Sequence, residues 1–195
     1  MLIAIAGGVG TGKSYVADLF RAKGAKVISA DEINRAMLKE PRYLRRLKEI
    51  FPDAVKDGVA DKQAIRNLIF NDAHAREKLN ALAHPAIRDR ILEIYQKEGG
   101  TLFVEMPLLI GSGMQGMFDA VIAVVCSRDL RAERVARRDG ISTESAYKMI
   151  DAQQAEDAVS SIADELIVND GDGYAVCKRV DELWKRYERS GHSAL

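Results

Sequence analysis

Nine consecutive residues, GGVGTGKSY from position 7 to position 15, contain the spacing G-x-x-x-x-G-K-[ST] and stand between an apolar run and a segment of helical periodicity. Few chain arrangements satisfy all three conditions. Ile3, Ile5 and Ala6 suit a buried strand, while Val16, Leu19 and Phe20 recur at the spacing of one helix face. A Gly-rich turn between a strand and a helix aims a row of backbone N–H groups, and the helix N-terminus behind them, at a phosphate group. Gly8, Val9, Gly10, Thr11, Gly12, Lys13, Ser14 and Tyr15 are therefore expected to line a nucleoside triphosphate site. Within it Lys13 reaches the β- and γ-phosphates and the Ser14 hydroxyl can ligate Mg²⁺. Glycine keeps clear the space that a Cβ would deny to the phosphate. The competing reading is a tight turn with an exposed lysine, and the flanking strand and helix argue against it.

The same alternation continues down the chain. Residues 25–30, 101–106, 121–126 and 165–168 read as short buried strands separated by helical stretches, which predicts a parallel sheet with helices on both faces. The expected helices are 13–23, stopping at Gly24; a second whose Ile33, Ala36 and Met37 share a face before Pro41; 129–138, broken by Gly140; 143–154; and a last one through Trp184 to about 189, leaving 190–195 as a loose tail. Asp31 ends the second strand and suits the cap of the helix that follows. No strand is expected between Ile33 and Glu98. There Tyr43, Leu44, Leu47 and Ile50, then Ile65, Leu68 and Ile69, then Leu79, Leu82, Ile87, Ile91 and Ile94 form successive helical stripes, with a turn at Asp57 and Gly58. At 195 residues and 47% hydrophobic content, the chain suffices for one domain with a sizeable core.

Basic and acidic residues number 29 each, so no overall field recruits nucleic acid or an anionic membrane. No apolar run approaches 18 residues and no basic segment precedes the first one, which together predict a cytoplasmic protein. A monomer or small homo-oligomer is expected. Two cysteines, Cys126 and Cys177, suggest neither a disulfide framework nor a metal site.

Phosphoryl transfer needs cations around the phosphates, Mg²⁺ ligands and a carboxylate to take the acceptor's proton. Asp31, at the carboxyl end of the second predicted strand, is a candidate base or water-mediated Mg²⁺ ligand; helix capping is its structural alternative. Arg35 follows one turn later. Glu105 ends an otherwise apolar strand, where an unpaired carboxylate is costly, and it suits the Mg²⁺ shell; a salt bridge at the sheet edge is the other reading. Arg128, Arg131, Arg134, Arg137 and Arg138 crowd one helix, as expected of a lid that lays guanidinium groups along phosphates, or of a solvated face paired with Asp129, Glu133 and Asp139. His84 precedes Pro85 and, taken alone, reads as structural; His74 and His192 read as surface residues. The aromatic residues are scattered and offer no stacking platform for single strands.

Taken in order, GGVGTGKS, SADEINR (29–35), DGVADKQAIRNLIF (57–70), LNALAHPAI (79–87), EMPLLI (105–110), FDAVIAV (118–124), RVARRDG (134–140) and ADELIVNDG (163–171) resemble the dephospho-CoA kinase family along nearly the whole chain. The resemblance implies an α/β P-loop kinase fold: a three-layer sandwich on a five-stranded parallel sheet, with core segments at about 1–32, 99–127 and 161–195. A helical substrate-binding insertion at about 33–98 and a helical lid at about 128–160 complete a single domain. It also implies ATP and Mg²⁺ as cofactors and dephospho-CoA as acceptor, phosphorylated on its ribose 3′-hydroxyl. By position it makes Asp31 the base, Arg35, His84, Arg88 and Glu105 substrate-side residues, and Arg138 a catalytic lid cation that touches the nucleotide. The chain departs from the family pattern at Gly111 and Val159, at Lys148 where arginine is common, and at Glu105 in place of aspartate. A nucleoside or nucleotide kinase on the same scaffold is the alternative. A nucleotide-sensing switch is a third reading, although no Asn-Lys-x-Asp segment is present.

Overall fold

The computed structural model describes residues 1–153 and 158–192. Five of its strands, β1 (Leu2–Ala6), β2 (Lys26–Ser29), β5 (Leu102–Met106), β6 (Ala120–Val125) and β7 (Glu165–Val168), form one parallel sheet in the order β2-β5-β1-β6-β7, while β3 (Val55–Lys56) and β4 (Val59–Ala60) pair separately. Parallel neighbours cannot be joined by hairpins, so helices carry the crossovers, beginning with α1 (Lys13–Ala22) between β1 and β2. The order reverses beside β1, and in open sheets of this kind the crevice outside the carboxyl ends at that point receives ligands.

Side-chain alternation along each strand decides what α1 meets. Ile3 and Ile5 of β1, Phe103 of β5, Ile122 and Val124 of β6 and Ile167 of β7 project to one face, where Val16, Ala17 and Phe20 of α1 and Val176, Val180 and Leu183 of α8 (Gly173–His192) close over them. Phe20 and Phe103 stack with centroids 4.5 Å apart. The alternate residues Leu2, Ala4, Ala6, Leu102, Val104 and Met106 are buried as well, so both faces of the sheet are covered. Beyond β6, α6 (Arg128–Asp139) packs on α7 (Thr143–Asp151) through Ala132, Val135, Ala146 and Ile150.

Compact units divide the chain at two points: residues 1–29 with 95–195, and Ala30–Ile94. The second unit holds α2 (Ala30–Met37), α3 (Pro41–Ile50), the β3-β4 hairpin, α4 (Lys62–Asn71) and most of α5 (Ala73–Glu98), whose last turn belongs with the sheet. Pro41 opens α3, where its missing N–H costs nothing.

Several expectations need correction. A strand pair occupies 55–60, where none is expected, because Asp57 (φ 51°) and Gly58 (φ 77°) both take the left-handed conformation that a two-residue hairpin requires. Strand β2 stops at Ser29 and α2 starts at Ala30, so Asp31 lies inside the first turn and does not cap the helix from outside. Ile33 and Met37 are buried but Ala36 is exposed. Helix α7 ends at Asp151, short of 154, which lies outside the described residues. Helix α8 continues to His192, past the expected end at 189; residues 193–195 of the expected tail lie outside the described residues. No helix among the described residues is long and apolar enough to cross a membrane.

Candidate active site

Leaving β1, the chain turns at Gly7 and enters α1 at Lys13 through Gly12, which has φ 89° and provides no side-chain cap. The first turn of α1 thus presents its N–H groups and the positive end of its dipole outward. Two of the loop glycines are also required by the protein packed against them. A Cβ on Gly7 would lie 2.4 Å from the Val124 carbonyl oxygen, and one on Gly12 would lie within 2.1 Å of the Asn169 carboxamide nitrogen.

Lys13 is buried, and its Nζ donates to the Gly8 carbonyl at 2.9 Å; Thr11 Oγ1 donates to the same oxygen at 3.0 Å. Glu105 is two residues beyond Phe103 on β5 and so shares the face that α1 covers. There the Ser14 hydroxyl donates to Glu105 Oε1 at 2.6 Å. Because β5 lies between β2 and β1, the reading of Glu105 as a sheet-edge salt bridge falls away. Tyr15 turns its ring outward, its hydroxyl 3.9 Å from Cys177 Sγ of α8, and that thiol holds the phenol above its ordinary pKa.

Four of the five arginines of α6 have protein partners. Arg128 stacks 4.3 Å over the Tyr147 ring and bonds Asp151 at 2.9 and 3.0 Å. Arg131 is buried, and its Nε donates to the Val9 carbonyl at 2.9 Å. One turn on, Arg134 donates to the Asn169 carbonyl at 3.0 Å and to Cys126 Sγ at 3.3 Å. Arg138 is exposed and forms a forked pair with Asp139 at 2.7 and 2.8 Å, which holds that carboxyl below the usual range. A cavity of about 270 Å³ opens between the loop and the end of β6, with Gly7, Gly8, Thr11, Cys126, Arg128 and Arg131 among the residues that line it. Burial pushes the Cys126 thiol up, so the residue is a neutral wall of that cavity.

The remaining candidates belong to the unit Ala30–Ile94. Asp31 and Arg35 are exposed one turn apart on α2, with Arg35 Nε 3.3 Å from the Asp31 carbonyl oxygen. On α5, half-buried His84 and exposed Arg88 are four residues apart and share a face; Arg88 donates to Asp89 at 2.9 Å. The sequence reading passes over two contacts to the loop. Asn169 donates from Nδ2 to the Thr11 carbonyl at 2.8 Å, and Gln153 Oε1 accepts from the Val9 N–H at 3.0 Å. Asn169 carries a positional signal, being the first residue beyond β7 at the ligand end of the sheet. Among the described residues no group of three or more His, Cys, Asp or Glu stands together as a metal site; Ser14 and Glu105 bring two hard oxygen donors together beside the loop.

Similarity to known proteins extends along nearly the whole chain. A dephospho-CoA kinase of Moorella thermoacetica is 35% identical over 196 residues, covering 96% of this chain and 92% of its own. A solved Thermus thermophilus structure superposes with a TM-score of 0.83 at 30% identity, over 95% of this chain and 96% of the other. The dephospho-CoA kinase of Campylobacter jejuni does so at 0.72 and 26% identity, over 97% and 98%. The dephospho-CoA kinase family profile matches residues 1–174, from β1 through the start of α8, so that the phosphate loop, the Ser14–Glu105 pair and the arginine helix all fall inside one match, and the chain belongs to the dephospho-CoA kinase family.

Proposed function

We propose that this protein transfers the γ-phosphoryl group of ATP to the ribose 3′-hydroxyl of dephospho-CoA, giving CoA and ADP, in the cytoplasm. The observation that carries the reading is the Ser14 hydroxyl seated on Glu105 at the mouth of an amide-lined loop, in a chain that the family profile matches over residues 1–174. A hydroxyl and a carboxylate of this kind fit Mg²⁺, which takes one or two protein oxygens and keeps its other positions for water and phosphate. Held by Ser14 and Glu105, such an ion would supply positive charge to offset that of the phosphoryl oxygens.

The chain's own residues supply the rest. The N–H groups of the loop and of the first turn of α1 hold the phosphate tail, and Lys13 exchanges its bond to the Gly8 carbonyl for the transferring oxygens, where its charge grows more useful as the leaving bond lengthens. Asp31 takes the proton of the acceptor hydroxyl as that oxygen bonds to the γ-phosphorus and the bond to the ADP oxygen breaks. Arg35, His84 and Arg88 orient the acceptor. Arg138 exchanges Asp139 for a nucleotide oxygen, which suits its planar fork.

The experiment is an acceptor panel with Mg²⁺-ATP and purified protein, reading ADP release and identifying the phosphorylated product. Dephospho-CoA should be converted to CoA, and nucleosides and nucleoside monophosphates should be inert. Turnover of a monophosphate without CoA formation would overturn the assignment in favour of a nucleotide kinase.

A further inference from the structure

A phosphate loop presents N–H groups to its ligand only while its carbonyls point the other way. In a planar trans peptide the carbonyl of one residue and the N–H of the next are antiparallel, so whatever fixes the first aims the second. A carbonyl turned into protein also needs a donor there. Two of the carbonyls behind this loop are held from elsewhere in the chain by buried side chains: Val9 O by Arg131 Nε of α6 at 2.9 Å, and Thr11 O by Asn169 Nδ2, just past β7, at 2.8 Å. Arg131 and Asn169 are each only 5% exposed. Arg134 adds a longer approach, 3.5 Å, to Gly10 O, and braces Asn169 through its carbonyl at 3.0 Å.

From this geometry we infer that Arg131 and Asn169 are positioning residues for the nucleotide: by holding the carbonyls of Val9 and Thr11 into the protein they aim the N–H groups of Gly10 and Gly12 at the triphosphate. The inference deepens the proposed function and rests on its nucleotide site, not on the identity of the acceptor. It gives Arg131 a task beyond that of a lid cation: its Nε works through the loop, while the residue also lines the cavity beside it. It also accounts for the absence of a side chain at position 12, because the Asn169 carboxamide that orients the loop stands where a Cβ would be.

Isosteric replacements in the full chain separate aiming from packing. Arg131→Met keeps the stem and removes the donor; Asn169→Asp keeps the shape and sets an acceptor against the Thr11 carbonyl, whereas Asn169→Ala removes the group altogether. The readouts are the dissociation constant of a non-hydrolysable ATP analogue, KM for each substrate, and ligand-free melting. Arg131→Met and Asn169→Asp should weaken analogue binding by about tenfold or more, the scale of a buried hydrogen bond left unmade. KM for dephospho-CoA should stay within about twofold. Asn169→Asp should be worse than Asn169→Ala, and Arg131→Lys should recover part of the loss. Equal weakening toward both substrates, loss that follows only a fall in melting temperature, or an Asn169→Asp variant no worse than Asn169→Ala would overturn the inference. Should the Arg131 variants fail to fold, the two Asn169 variants decide it. If the unaltered chain binds no analogue, the nucleotide site fails and this inference with it. If it binds the analogue but makes no CoA, the acceptor assignment fails and the inference stands or falls on the variants alone.

Discussion

Two kinds of constraint meet at single residues of the loop, and they separate on mutation. Gly7 has φ 150° and lies so close to β6 that an added Cβ would fall 2.4 Å from the Val124 carbonyl oxygen, which belongs to backbone that cannot step aside. Gly7→Ala is therefore expected to lower the melting temperature of the ligand-free protein as well as to abolish turnover; an unchanged melting curve would show that the strand-to-loop turn relaxes freely. Lys13→Ala should behave differently, leaving the fold in place and suppressing kcat, because its partner within the loop, the Gly8 carbonyl, also receives Thr11 Oγ1 at 3.0 Å. Asp31→Asn should reduce kcat by about 10²–10⁴-fold while analogue binding is unchanged, the usual cost of losing a proton acceptor. Near-normal turnover would remove Asp31 from that role. Glu105→Gln keeps an oxygen for the Ser14 hydroxyl but drops the charge, and the Mg²⁺ concentration for half-maximal activity should rise; an unaltered Mg²⁺ dependence would take Glu105 out of the metal shell.

Whole elements show which sequence signals survive folding. The five main strands were legible within about one residue because each is a short apolar run bounded by turn residues, and β7 spans the expected 165–168. The β3-β4 pair was not legible, since strands of two residues carry no periodicity and only the turn at Asp57 and Gly58 could be read. On α6, spacing put several arginines on one face but could not say that Val9 and Asn169 would supply their acceptors, because those partners are 122 and 35 residues away in the chain. The cap of α4 offers a test at this scale. Asp61 accepts from the N–H groups of Gln63 and Ala64 at 3.1 and 3.0 Å and from Lys56 Nζ at 2.8 Å. The Lys56 hydrogen bond first, then that of Ala64, hold its carboxyl below the usual carboxylate range. A depressed carboxylate pKa stabilises the folded state fully above the unfolded value of about 3.9 and loses that contribution as pH falls through the lower folded value. Lys56→Ala should therefore melt below the parent near neutral pH, and the gap should close under acid conditions. A gap that stays constant down to low pH would mean that the ion pair does not contribute.

At the scale of the whole chain, the site depends on the sheet unit having one rigid core, because the loop, Ser14, Glu105 and Asn169 are contributed by the ends of three strands and the start of one helix. Phe103 sits at the centre of that core. It is fully buried on β5, stacks on Phe20 of α1 at 4.5 Å, and meets Trp184 and Tyr187 of α8 at 6.2 and 6.3 Å, so a single side chain ties a central strand to both helices of that face. Glu105 follows it on the same face, which makes the packing of Phe103 the support for the position of the carboxylate. Truncating a buried phenylalanine costs about 3–5 kcal/mol, the lost transfer of the ring plus the cavity left behind. For a chain of this length each kcal/mol moves the melting temperature by roughly 2–4 °C. Phe103→Ala should thus melt about 6–20 °C below the parent, and Phe103→Leu, which refills part of the volume, should recover much of the difference. Differential scanning calorimetry of the three proteins makes the comparison, with Mg²⁺ dependence measured alongside at a temperature where all remain folded. If Phe103→Ala melts within a degree or two of the parent, the aromatic cluster is not what joins the helices to the sheet. If it melts low as expected but keeps the parent's Mg²⁺ dependence when folded, then Glu105 is held in place by the strand backbone and not by the packing beneath it.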